Sequence, residues 1–98
     1  MIRSVTLINL KPDTTAEQAA AVKAAYLRLP GLIPQLKAME VGLNAGLLDG
    51  AASLAVVADF ASREDFGVYS THAAQGEVVF PVCGPLMTGY STIQYEKA

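Results

Sequence analysis

The chain of 98 residues and 10.3 kDa is enough for one small domain, taken as residues 1–98, and too little for two. It is 52% hydrophobic and only 16% charged, where soluble domains carry about 25% charged residues, so disorder is excluded and there is more apolar side chain than so small a body easily hides. A net charge of -2 argues against nucleic acid or an acidic membrane as partner, one cysteine excludes an internal disulfide, and one histidine beside one cysteine leaves no ordinary zinc site.

Ile2 to Leu10 is β-branched and apolar and reads as the first strand. It is too broken by polar residues for a signal peptide, and no apolar run reaches the roughly 18 residues that span a bilayer. The expected location is the cytoplasm, with the thiol reduced. Pro12-Asp13 ends the strand, and Thr14-Thr15-Ala16-Glu17 predicts a capping box with Thr14 as N-cap. The helix is predicted to run to Leu29, before Pro30-Gly31. Ala19, Val22, Tyr26 and Leu29 share its core arc, while Ala20, Ala24 and Leu27 form a weaker apolar line on the far side.

Lys37 to Asn44 alternates, with Met39, Val41 and Leu43 on one face, and predicts a second strand. Gly46 and Asp49-Gly50 mark a hairpin connection. Ser53 to Phe60 is almost continuously apolar and reads as a strand buried on both faces. Ser62-Arg63-Glu64-Asp65 opens a second helix carrying Phe66, Tyr69 and Ala73. A further helical piece, Gln75 to Met87, is interrupted by Pro81, Gly84 and Pro85 and is expected to be short or kinked. Gly89 to Glu96 closes as a strand.

The order β-α-β-β-α-β predicts an α+β, ferredoxin-like fold: a four-stranded antiparallel sheet with the helices on one face. Nothing remains in the chain to cover the other face, yet both sides of the third strand are apolar. A second copy packed sheet to sheet, hiding on the order of 800 Å² per partner, is the simplest cover. The expected state is an obligate homodimer, with Val56→Asp as the substitution that breaks it.

Several segments resemble the stress-responsive dimeric α+β barrel (Dabb) family. They are Ile2 to Leu7 running into Leu10-Lys11-Pro12, Leu29 to Pro34 followed by Met39-Glu40-Val41-Gly42, Phe66-x-x-Tyr69-x-x-His72, and the closing Tyr90 to Glu96. The resemblance covers essentially the whole chain. It implies dimerisation into an α+β barrel, no metal or organic cofactor, and a pocket inside each protomer between sheet and helices. The family includes stress-associated proteins, a plant polyketide cyclase (olivetolic acid cyclase) and a hydroxynitrile lyase. Tyr69 and Tyr26 match pocket tyrosines of the cyclase, and His72 matches the first histidine of a His-Pro-Ala-His segment. Here that segment is His72-Ala73-Ala74-Gln75, so Gln75 replaces the cyclase's catalytic histidine, and Ser4 stands where the cyclase has a histidine on its first strand. Gln offers hydrogen bonds but no base near neutral pH.

His72 and Tyr69, at i and i+3, can converge as proton carrier and oxyanion donor. The alternative, which is favoured because a lone histidine is weak evidence, is that Tyr69 is core and His72 ends the helix in solvent. Tyr26 fits a pocket wall or the core. Ser4 and Thr6 fit a polar pocket floor or bonds to nearby main chain, the second being favoured. Cys83 reads as buried filler, and Asp59 as a strand-end acid in water, with orientation of a pocket residue as its alternative.

The function expected is a small homodimeric binder of an apolar, aromatic or polyketide-like molecule, with Tyr26, Gln75, Ser4 and Thr6 contacting it. If it is an enzyme, it is a cofactor-independent cyclase, lyase or isomerase working through His72 and Tyr69. A non-catalytic stress-responsive dimer is the alternative, and a cofactor-free monooxygenase a weaker one. A hollow of roughly 300 Å³ or more touching Tyr69 and His72 is what separates ligand chemistry from a filled core.

Overall fold

A computed structural model describes residues 1–98. Strand β1 (Ile2–Leu10) leads to helix α1 (Ala16–Leu27), strands β2 (Leu36–Leu43) and β3 (Leu54–Phe60), helix α2 (Arg63–Thr71), the single turn α3 (Phe80–Cys83) and strand β4 (Met87–Glu96). The sheet order is β2-β3-β1-β4 and every pairing is antiparallel, which is the expected ferredoxin-like fold. As expected, the last helical piece is short and irregular: a π turn over Gln75–Val79 runs directly into the four-residue α3, which ends at Gly84.

The caps show why α1 sits where it does. The Thr14 N–H closes a turn onto the Lys11 carbonyl at 3.0 Å, so the helix starts one residue later than the sequence pattern suggested. Thr15 is the N-cap: its hydroxyl accepts from the Gln18 N–H, and the Gln18 side chain accepts from the Thr15 N–H. At the other end Pro30 has no N–H to continue the ladder. The chain therefore leaves the α-helix at Leu27 and tightens into a 3₁₀ turn over Leu29–Gly31.

Register assigns the two sheet faces. Leu54, Val56, Ala58 and Phe60 of β3 lie beside Ile8, Thr6, Ser4 and Ile2 of β1, on the side the helices cover. Val22 and Leu29, with Ile33 beyond them, close over this side, and Phe60, Ile8 and Leu54 are almost wholly buried there. Each such side chain contributes about 1.5–3 kcal/mol by leaving water.

The opposite face carries Val5 and Leu7 of β1, Ala55 and Val57 of β3, and Ser91, Ile93 and Tyr95 of β4. Leu7 is 44% and Ile93 60% exposed. Val57 pairs with Val5, which pairs with Ile93, so one apolar row crosses three strands. Val56 points the other way, into the helix-covered core, so Val56→Asp is a folding lesion and the substitution that addresses the open face is at Val57.

Asp59 also departs from expectation. It is not a solvated strand-end acid, being only 7% exposed. Arg3 donates to both its carboxylate oxygens, from Nε at 2.8 Å and Nη2 at 3.0 Å, and Lys97 Nζ lies 3.5 Å away. The Arg3 fork holds the Asp59 carboxyl below the ordinary carboxylate range. This cluster sits on the open face of the sheet, away from the helices and from His72.

Candidate functional site

Four of the residues singled out above meet where α1, α2 and the segment after α2 pack together. Tyr26 projects from α1 and is half-buried, with its hydroxyl against the Cys83 thiol. Burial is the main cause that pushes its phenol up, and the neighbouring Cys83 and Tyr69 add to it. Tyr69 is buried, with its ring tilted against Phe60 at 4.9 Å between centroids and near Phe66 at 6.2 Å. Burial raises its phenol as well, partly offset by the polar Gln75 side chain nearby. Burial likewise pushes the Cys83 thiol up. All three groups are therefore neutral near pH 7 and work as hydrogen-bonding groups rather than ions.

The main chain after α2 sets this arrangement. His72 is the C-cap of α2 and its N–H donates to the Tyr69 carbonyl at 3.3 Å. Gln75 Nε2 donates to the same carbonyl at 3.1 Å, so one of the last carbonyls of the helix is doubly satisfied. Gln75 then opens a π turn over Gln75–Val79, in which the Phe80 N–H reaches back to the Gln75 carbonyl. Gln75 and Cys83, at the two ends of this segment, both line the hollow beside Tyr26. Gly84 closes the segment where a side chain does not fit: a Cβ there would stand 2.7 Å from the Phe80 carbonyl oxygen and 2.9 Å from its ring.

Between these groups lies a cleft of about 200 Å³ lined by Tyr26, Gln75, Val79, Phe80, Cys83, Gly84 and Met87. The cleft is smaller than the roughly 300 Å³ expected for ligand chemistry, and neither Tyr69 nor His72 lines it; Tyr69 stands behind as part of the aromatic core. His72 is half-buried rather than free in solvent, and its Nδ1 accepts from the Ala74 N–H at 3.0 Å. With Nδ1 as the acceptor, the hydrogen of the neutral ring lies on Nε2, which is then a donor and not a base.

Ser4 and Thr6 stand apart from this cleft, on the helix side of β1 facing β4. Ser4 Oγ accepts from Gln94 Nε2 at 3.1 Å, Thr6 and Thr92 hydroxyls lie 2.9 Å apart, and Gln94 Nε2 also donates to Thr92 at 2.8 Å. Their partners are β4 side chains, not the main-chain groups near the strand start that the sequence favoured. The ladder reaches the main chain through Thr92, which donates to the Val5 carbonyl at 3.3 Å. Sequence reasoning did not single out Gln94, Thr92, Cys83 or Met87 as neighbours of a site. Only a register for β4 and the π turn bring them there. No three His, Cys, Asp or Glu side chains converge as a metal site would require. No helix is long and apolar enough to cross a membrane.

The sequence from residue 2 to 96 matches the profile of the stress-responsive A/B barrel domain. Among solved structures, the chain is similar to a dimeric ferredoxin-like protein of unknown function from Thermobifida fusca YX, with 28% identity, TM-score 0.85, and 98% of this chain and 90% of that one covered. It is also similar to a protein of Arabidopsis thaliana, with 23% identity, TM-score 0.84, and 100% and 96% covered. The hydroxynitrile lyase of Passiflora edulis superposes with 18% identity, TM-score 0.79, and 96% and 90% covered. The last two likenesses are of fold alone. No protein of curated function matches the sequence significantly.

Proposed function

The chain belongs to the stress-responsive A/B barrel family, and from that premise we propose that it is a homodimer whose protomers each bind a small, neutral, largely apolar molecule in the Tyr26–Gln75 cleft. The observation that carries the ligand is the meeting of three neutral hydrogen-bonding groups, the Tyr26 phenol, the Gln75 amide and the Cys83 thiol, at one apolar hollow. Such a site favours a flat body with one or two oxygen atoms and offers nothing to balance a charge. The dimer is supported by the uncovered Val5–Val57–Ile93 row and by the dimeric Thermobifida fusca relative.

In its catalytic form His72 moves the proton and Tyr69 holds the developing oxyanion, in cyclase, lyase or isomerase chemistry without a cofactor. To accept a proton at Nε2 the ring takes the other tautomer and gives up the Ala74 bond to Nδ1. The hydroxynitrile lyase of Passiflora edulis has the same fold. The second form is a non-catalytic stress-associated dimer with Tyr69 as core and His72 as helix cap. It is favoured by one specific observation: neither side chain lines the cleft. Titration of the labelled protein with phenol and resorcinol, followed by amide chemical shifts, tests the common part. Saturable shifts at Gln75, Val79, Cys83 and Gly84 are expected, and their absence overturns the ligand reading. His72→Ala separates the two forms, because only the catalytic form loses turnover while keeping ligand binding.

A further inference from the structure

A second hollow, of about 330 Å³, opens where the start of α2 faces the end of β4, and it shares no lining residue with the Tyr26 cleft. Its apolar side is Ile2 and Phe66, its polar side Gln94, and its rim the exposed pair Arg63 and Glu96. No helix covers β4 here: Tyr90, Thr92 and Gln94 are exposed although they sit on the helix side of the sheet.

Gln94 is held by two hydrogen bonds from its amide nitrogen. Thr92 spends its own hydrogen on the Val5 carbonyl, so between Gln94 and Thr92 the amide nitrogen is the donor. The same nitrogen donates to buried Ser4. Both amide hydrogens are thus used, the side chain is held by two anchors, and Oε1 is an acceptor with no partner in the protein. At the rim, Arg63 Nε lies 3.5 Å from Glu96, with both side chains more than half exposed. Such a pair contributes almost nothing and leaves the guanidinium free for an anion.

We propose that this groove is a separate binding site for a small carboxylate with an apolar body and a hydroxyl group. The apolar body lies on Ile2 and Phe66, the hydroxyl donates to Gln94 Oε1, and the carboxylate meets Arg63. The Ser4–Gln94–Thr92–Thr6 ladder is the device that aims Oε1. The site differs in charge preference from the Tyr26 cleft, so the two proposals stand or fall separately.

The test is titration of the labelled protein with 4-hydroxyphenylacetate, read by amide shifts, beside phenylacetate, which lacks the hydroxyl, and 4-ethylphenol, which lacks the carboxylate. Saturable shifts at Ile2, Arg63, Phe66 and Gln94 are expected, with each deficient probe bound about ten-fold more weakly. Gln94→Leu should erase the advantage of the hydroxyl and Arg63→Gln that of the carboxylate. If Gln94→Leu fails to fold, Thr92→Val, which removes one anchor of the amide, should reduce the hydroxyl's advantage instead. Equal affinity for the three probes, shifts confined to Gln75, Val79 and Cys83, or no saturation at millimolar probe overturns the proposal.

Discussion

Val57 and Val56 are adjacent in the chain and face opposite sides of the sheet, so the same substitution at each should fail in different ways. Val57 sits mid-row between Glu40 of β2 and Val5 of β1, half-buried on the open face. In a lone protomer Val57→Asp places a carboxylate on a surface that water reaches, at about 1 kcal/mol of lost strand preference. In a dimer closed over that face, the carboxylate and its symmetry mate are both desolvated, and the cost rises to several kcal/mol. Two such carboxylates, at about 3.5 kcal/mol each, weaken the dimer by about 7 kcal/mol, roughly a hundred-thousand-fold. A dimer stable at nanomolar concentration becomes a monomer at the micromolar concentrations of light scattering. Size-exclusion with light scattering should give twice the 10.3 kDa chain mass for the wild type and the single-chain mass for Val57→Asp, with helix and strand signals unchanged. Val56, 3% exposed among the core residues, should instead lose its fold as Asp. A wild type that runs as a monomer at tens of micromolar, or a Val57→Asp protein that stays dimeric, refutes the reasoning.

Other consequences are as specific. Gly84→Ala forces a Cβ against the Phe80 carbonyl and should cost about 1–3 kcal/mol in chemical denaturation while narrowing the cleft. Leu29→Ala empties a fully buried site and should cost about 2–5 kcal/mol by the same measurement. Asp59 has a folded-state pKa below its unfolded one, so its contribution is present above the ordinary carboxylate range and is lost as pH falls through the folded value. The acid limb of the melting temperature against pH should therefore flatten in Asp59→Asn. Tyr26 and Tyr69 have raised pKa values, so their contribution is constant below the unfolded value near 10 and is lost as pH rises through the folded one. Phenolate absorbance should therefore rise at higher pH in the folded protein than in the unfolded one.

Most of the fold was legible because its signals are local and periodic. The alternation Met39, Val41, Leu43 puts those side chains on one side of β2, which the register aligns with Ala58, Val56 and Leu54. Pro30 keeps α1 from continuing past Leu27, whereas Pro81 is accommodated in the first turn of α3. What periodicity could not supply was which side of β3 the helices take. Both sides of that strand are apolar, and the choice is made by its pairing with β1, where Ile2, Ser4 and Ile8 alternate with Arg3, Val5 and Leu7. The same pairing explains Asp59, because an acid opposite Arg3 across two strands is a partner and not a solvated end.

The candidate site was legible as a list of residue types and not as a neighbourhood. Tyr26 and Tyr69 share a helical face signal that core and pocket residues both give, and chemistry does not decide between them. Their surroundings depend on a π turn that shifts everything after Gln75 by a fraction of a turn, and no hydrophobic period marks it. Gln94 shows the converse limit. Among exposed β4 residues it reads as surface, and only the pairing of Ser4 with Gln94 gives its amide nitrogen two fixed acceptors. Polar side chains acquire direction from partners distant in sequence, whereas apolar ones need only a side. A chain this rich in apolar residues therefore discloses its layers early and its binding chemistry late, at the few positions where a hydroxyl or an amide has been given something to hold.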